Sequence, residues 1–133
     1  MAEMTADQLT AMMLRHELFV VTTRPARGPG IQALLPEHLE YQIRLEREGH
    51  LFGAGPIYDE GADLPSAGMI VLRAKDMAAA RALADADPFH QKGLRQYTIQ
   101  RWLLNEGAMT VTIRYSDRTA VIASGPVALN GDA

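Results

Sequence analysis

The sequence predicts an α+β protein with the ferredoxin-like βαββαβ order, extended by an N-terminal helix and a C-terminal β-hairpin. Three observations predict it. Four runs of β-formers, near residues 18–23, 50–58, 67–72 and 96–104, alternate with two helical stretches in the order strand, helix, strand, strand, helix, strand. The first helical stretch carries Pro36 near its start and Gly49 just past its end. The second, alanine-rich from Asp76 to Ala86, is stopped at Asp87 by Pro88, which lacks an amide hydrogen and disfavours the α conformation before it.

Thr5 followed by Gln8 resembles a capping box, and Leu9, Met12, Met13 and His16 recur at helical spacing, so a short helix is expected over Ala6 to Arg15. Leu18 to Thr23 is the first strand. Arg24 to Gly30 then breaks regular structure with two prolines and two glycines. Its arginines, Arg24 and Arg27, either meet an anionic substrate or belong to a solvated loop. In the next helix Glu37 and Glu40 lie toward the positive end, Arg44 and Arg47 toward the negative end. At about 100° per residue Leu34, Tyr41 and Leu45 fall on one side of His38, and Leu35, Leu39 and Ile43 on the other. His38 therefore faces the core, and Gln42 shares its stripe, so two polar groups there need partners.

Gly53 and Gly55 place bare Cα atoms on one face of the second strand, open to a close approach or marking a bulge. Ala67 to Leu72 is a mostly apolar third strand, expected to be covered on both faces. Asp76 caps the second helix, whose Met77, Ala80, Leu83 and Ala84 form a narrow apolar face. After the fourth strand, residues 109–116 alternate apolar and polar, and Ser116-Asp117-Arg118 turns into Thr119 to Ala123 as a hairpin. Gly125 to Ala133 reads as a loose tail. One domain is expected over residues 1–133, with its core near 18–104 and the hairpin near 108–124. Two helices cover only one sheet face, so a partner sheet from a second copy is expected over the other, in a homodimer or higher homo-oligomer.

Composition narrows the function. The 133 residues are 47% hydrophobic and 22% charged, as in a globular protein, with a net charge of -3 and no basic cluster to meet phosphates. Nucleic acid is not an expected partner. There is no cysteine, which excludes disulfides and thiolate chemistry. The N-terminus has acids where a signal peptide has bases, and no apolar run approaches the roughly 18 residues of a membrane span. A soluble cytoplasmic protein is expected. The four histidines (His16, His38, His50, His90) show no metal-ligand spacing, and no phosphate- or dinucleotide-binding motif occurs.

Asp87 is the residue that asks for chemistry. At the carbonyl end of a helix its carboxylate is unfavourable unless a donor or cation answers it, and core-facing His38 is the expected answer. A histidine–aspartate pair fixes one imidazole tautomer and makes a proton shuttle near neutral pH. The bland alternatives are a satisfied core histidine and an Asp-Pro helix stop. His90 either lies beside Asp87 or is a plain loop residue.

Several segments together resemble the YCII-related family: His38 to Tyr41, Glu48-Gly49, Gly53-Ala54-Gly55-Pro56, Ser66-Ala67-Gly68, Asp85-Ala86-Asp87-Pro88-Phe89, Gly93, and the strand ending in Trp102. The resemblance spans about Leu18 to Trp102. It implies a dimeric ferredoxin-like αβ barrel with a His/Asp-centred pocket, in which His38 and Asp87 are the catalytic dyad. Tyr41, Ser66 and Phe89 become the candidate substrate-binding wall, although the commoner role of a serine placed like Ser66 is to cap a turn. One group in that family eliminates HCl from a chlorinated hydroxyquinol without a cofactor. The expected function is a cofactor-independent lyase or isomerase acting on a small cyclic organic substrate, with no cofactor and no metal. The alternative is a non-catalytic dimeric domain that binds a small molecule or serves as an accessory. A cofactor-free oxygenase is the third option.

Overall fold

The structure is a computed structural model that describes residues 3–122. The chain divides into two compact units, one of residues 15–104 and one combining the segments before and after it.

In the larger unit, strands β1 (His16–Arg24), β2 (Leu51–Ile57), β3 (Ala67–Leu72) and β4 (Gln96–Leu104) form one antiparallel sheet. Their order is β2-β3-β1-β4, the ferredoxin-like arrangement. Phe19 lies opposite Leu72 and Arg101, and Val21 opposite Ile70 and Ile99. Because side chains alternate along a strand, these rows share the face covered by helices. Phe19, Val21, Ile70 and Leu72 pack there with Tyr41 and Leu45 of α2 (Ile31–Arg47) and with Ala80 and Ala84 of α3 (Met77–Asp85). Small alanines let α3 lie close to the sheet, and Asp76 caps it by accepting from the Ala79 amide at 2.8 Å.

Helix α2 begins earlier than its proline suggested. Gly30 is the N-cap at φ 81°, a left-handed conformation that favours glycine, and a Cβ there would stand 3.2 Å from Leu94 Cδ1. Pro36 therefore lies inside the helix, and no acid occupies the first turn. Gly49, at φ 84°, ends the helix as expected. One flank of its apolar stripe is not covered: Leu39 and Ile43 are 49% and 47% exposed.

Strand β3 has buried residues on both faces, as expected: Ile70 and Leu72 on one, Ala67 and Val71 on the other, with Met69 its exposed residue. In β2 the register shifts between Leu51 and Gly53, and nothing lies within 4 Å of a Cβ built on Gly53 or Gly55. A second correction is at Pro88. It stops α3 but also starts a one-turn helix, α4 (Pro88–Gln91), for which Asp87 is the N-cap.

In the smaller unit the capping box forms, with Gln8 N donating to Thr5 Oγ1 and Thr5 N to Gln8 Oε1. Its helix, α1 (Ala6–Ala11), is shorter than expected and buries no side chain. Strands β5 (Val111–Arg114) and β6 (Thr119–Ile122) pair as a hairpin whose turn is held by Asp117 Oδ1 accepting from Thr119. The tail expected from Gly125 lies outside the described residues.

Candidate functional site

Two elements meet at Asp87. Pro88 supplies the first helical position of α4, and Asp87 stays extended so that Oδ1 accepts from the Phe89 amide at 2.9 Å. The carboxylate thus sits at the start of a short helix as well as just past the end of α3. His38 Nδ1 from α2 lies 2.8 Å from Oδ2 and 3.0 Å from Oδ1, and Gln42 Nε2, one turn on, donates to Oδ2 at 3.0 Å. Asp87 is 1% exposed. Burial pushes its carboxyl up, but the hydrogen bond and charge of His38, the Phe89 amide and His90 together outweigh that and hold it below the usual carboxylate range.

An ionised carboxylate only accepts, so His38 Nδ1 donates, and the neutral ring keeps Nε2 as its acceptor. Nε2 makes no hydrogen bond among the described residues. The Phe89 ring, fully buried, backs the imidazole at 4.7 Å between centroids. The Arg95 guanidinium carbon lies 4.0 Å from the centroid of the same ring.

His38 opens onto a cleft of about 550 Å³ between α2, β2, β3 and the loops after β1 and β2. Its apolar wall includes Ile31, Leu35, Leu39, Ile43, Leu64 and Ile70, so the exposed flank of α2 is one side of this cavity. Among its polar residues are Thr23, Arg27, His38, Gln42, Glu46 and Arg95. Few polar groups in an apolar concavity is the composition of a small-molecule site.

The expected site residues take different places. His38 lines the cleft, and Asp87 and Phe89 support it from behind. Tyr41 does not line the cleft; its hydroxyl donates to Leu83 O at 2.6 Å. Burial, followed by the charge of Asp87, pushes that phenol up. Ser66 lies between the cleft residues Pro65 and Ala67 without lining it, and its amide donates to Ile57 O at 2.9 Å. His90 is not a partner of Asp87 in hydrogen bonding: its Nδ1 donates to Ala84 O at 2.6 Å, and Nε2 lies 2.7 Å from Thr23 Oγ1. Of the two loop arginines, Arg27 lines the cleft and Arg24 does not.

Arg95 was missed. It is buried, Nε donates to Pro25 O at 2.8 Å and Nη2 to Ala26 O at 3.2 Å. Nothing in its neighbourhood of the sequence announces this, because its partners lie some seventy residues earlier in the chain. Gln42 was expected to need a partner and has one in Asp87, but its Oε1 is buried with none. Among the described residues no three His, Cys, Asp or Glu side chains cluster as a metal-ligand set.

A model of the YCII-related domain family matches residues 17–103. No curated protein matches the chain significantly in sequence. Among solved structures, the chain is similar to 5-chloro-2-hydroxyhydroquinone dehydrochlorinase from Burkholderia phenoliruptrix AC1100, in complex with 2,5-dihydroxybenzoquinone. The two share 19% identity over 64% of this chain and 92% of that one, with a TM-score of 0.50. At that identity the likeness is one of fold.

Proposed function

The chain belongs to the YCII-related domain family, and from that premise we propose that it is a cofactor-independent enzyme of lyase or isomerase type acting on a small cyclic organic substrate. One observation carries the reading: the only member of the buried His38–Asp87 pair that reaches the cleft is the imidazole, with Nδ1 held by the carboxylate and Nε2 unpartnered among the described residues. In this reading Nε2 takes an acidic proton from a ring hydroxyl or carbon, and the Asp87 carboxylate stabilises the imidazolium that forms. In an elimination, the electron pair of the broken O–H or C–H bond moves into the ring as the leaving group departs as an anion. Phe89 and Gln42 fix the two partners, and the apolar wall admits a ring. The solved dehydrochlorinase of the same fold adds support, since its name describes a lyase acting on such a ring.

The test compares the parent with His38→Ala in chloride release from 5-chloro-2-hydroxyhydroquinone and in solvent-deuterium uptake by unchlorinated ring analogues. Loss of about 10²–10⁴-fold is expected, with an unchanged circular dichroism spectrum. Equal rates in the two proteins would overturn the role of His38.

The second reading is a binding or accessory domain. It is favoured by Asp87, whose donors from α2 and α4 are those of a residue that fastens two elements together. Ligand-induced stabilisation without turnover, and without dependence on His38, would select it. The proposal also includes a cytoplasmic homodimer; among the described residues no helix is long and apolar enough to cross a membrane.

A further inference from the structure

Arg95 is a buried cation with neutral partners. Its two hydrogen bonds go to backbone carbonyls, and among the described residues no carboxylate lies within ion-pair distance of it. Asp87 acts on it only through space and is already filled by its own donors. Nη1 makes no hydrogen bond among the described residues. Nη1 lies beside Gly68: a Cβ there would meet it at an ordinary 3.9 Å and would crowd Thr23 Cγ2 at 3.2 Å. A buried charge without a counter-charge in contact is costly, and the cleft is where one can enter.

Arg95 and His38 both line that cleft and both pack on the Phe89 ring. Arg27 adds a second cation, its Nε donating to Pro65 O at 3.2 Å. Glu46 is the acidic residue among those lining the cleft, at a point one turn beyond Gln42.

We propose that the ligand of this cleft is a small cyclic organic anion, whose carboxylate or ionised ring oxygen is held by the free donors of Arg95 while its ring lies on the apolar wall of α2. The inference deepens the reading of the cleft as a substrate site and rests on it. A guanidinium suits such an oxygen because its planar donors match the lone pairs in both distance and direction.

The experiment is an NMR titration of the full chain with benzoate, with its neutral isostere benzamide, and with 2,5-dihydroxybenzoquinone, following the Arg95 Nε–H resonance. At least one anion should move that resonance and bind about tenfold more tightly than benzamide. Arg95→Gln should abolish the preference, and His38→Ala should keep it. Benzamide binding as well as both anions, no movement of the Arg95 resonance, or a preference retained in Arg95→Gln would each overturn the inference. If Arg95→Gln does not fold, the parent titration alone decides. An anion preference in a protein without turnover would overturn the enzyme reading and leave this one standing. Turnover dependent on His38 without any anion preference would do the reverse.

Discussion

Asp87 receives His38, Gln42 and the Phe89 amide while almost wholly removed from water. Truncation to alanine strands all three donors and uncaps α4, so Asp87→Ala should cost about 3 kcal/mol in urea unfolding. The acid dependence has a definite sign. The folded carboxyl titrates below its unfolded value, so the stability it contributes is fully present above the unfolded value of about 3.9 and is lost as pH falls through the lower folded one. Parent and Asp87→Asn compared by urea midpoint should show a constant gap from neutral pH to about pH 5, then a narrowing gap below about pH 4. A gap that widens on acidification would mean that His38 and Phe89 do not hold the carboxylate as described.

At the scale of elements, α2 carries both the site and a defect. Pro36 lies five residues past the first helical position, where it has no N–H to give the Gln32 carbonyl. It is exposed, so Pro36→Ala removes no packing and restores the bond. A gain of about 1–2 kcal/mol is expected, the loss of proline rigidity in the unfolded chain offsetting part of the benefit. Thermal unfolding would measure it, and a lowered midpoint would show that α2 depends on a bend at this residue. This helix also shows what the sequence could and could not reveal. Its stripe and Gly49 terminus were legible because periodicity and left-handed glycine are local properties. Its start was not, because Gly30 is a cap without a side chain and owes its place to Leu94. Likewise, the His38–Asp87 contact was anticipated from two residues that each lacked a partner, though for a different electrostatic reason: Asp87 caps a short helix that four residues are too few to announce. Arg95 was illegible because its setting comes from Phe89, Gly68 and the loop before α2, which only the fold brings together.

For the whole molecule, assembly turns on the sheet. The face bearing Phe19, Val21, Ile70 and Leu72 is filled by helices α2 and α3. On the opposite face Val20 and Thr22 of the central strand are only partly buried, and Met69, Phe52 and Trp102 are 41%, 42% and 39% exposed. Phe52 and Trp102 pack edge to face at 6.3 Å between centroids, giving that surface a rigid aromatic pair. Apolar side chains of this kind, set among Thr22, Thr98 and Gln100, make a surface that a second copy can cover by an isologous two-fold contact. The proposed homodimer forms through it. Val20 lies opposite Val71 and Gln100 at the middle of the sheet, so Val20→Glu leaves a charge that the lone protomer can hydrate but an interface must desolvate. Analytical ultracentrifugation should give a dimer for the parent and the 14.6 kDa protomer for Val20→Glu, with the circular dichroism spectrum unchanged. A monomeric parent would overturn the dimer. A dimeric Val20→Glu would move the contact off the sheet, because no symmetric pairing of these faces leaves the central strand in water.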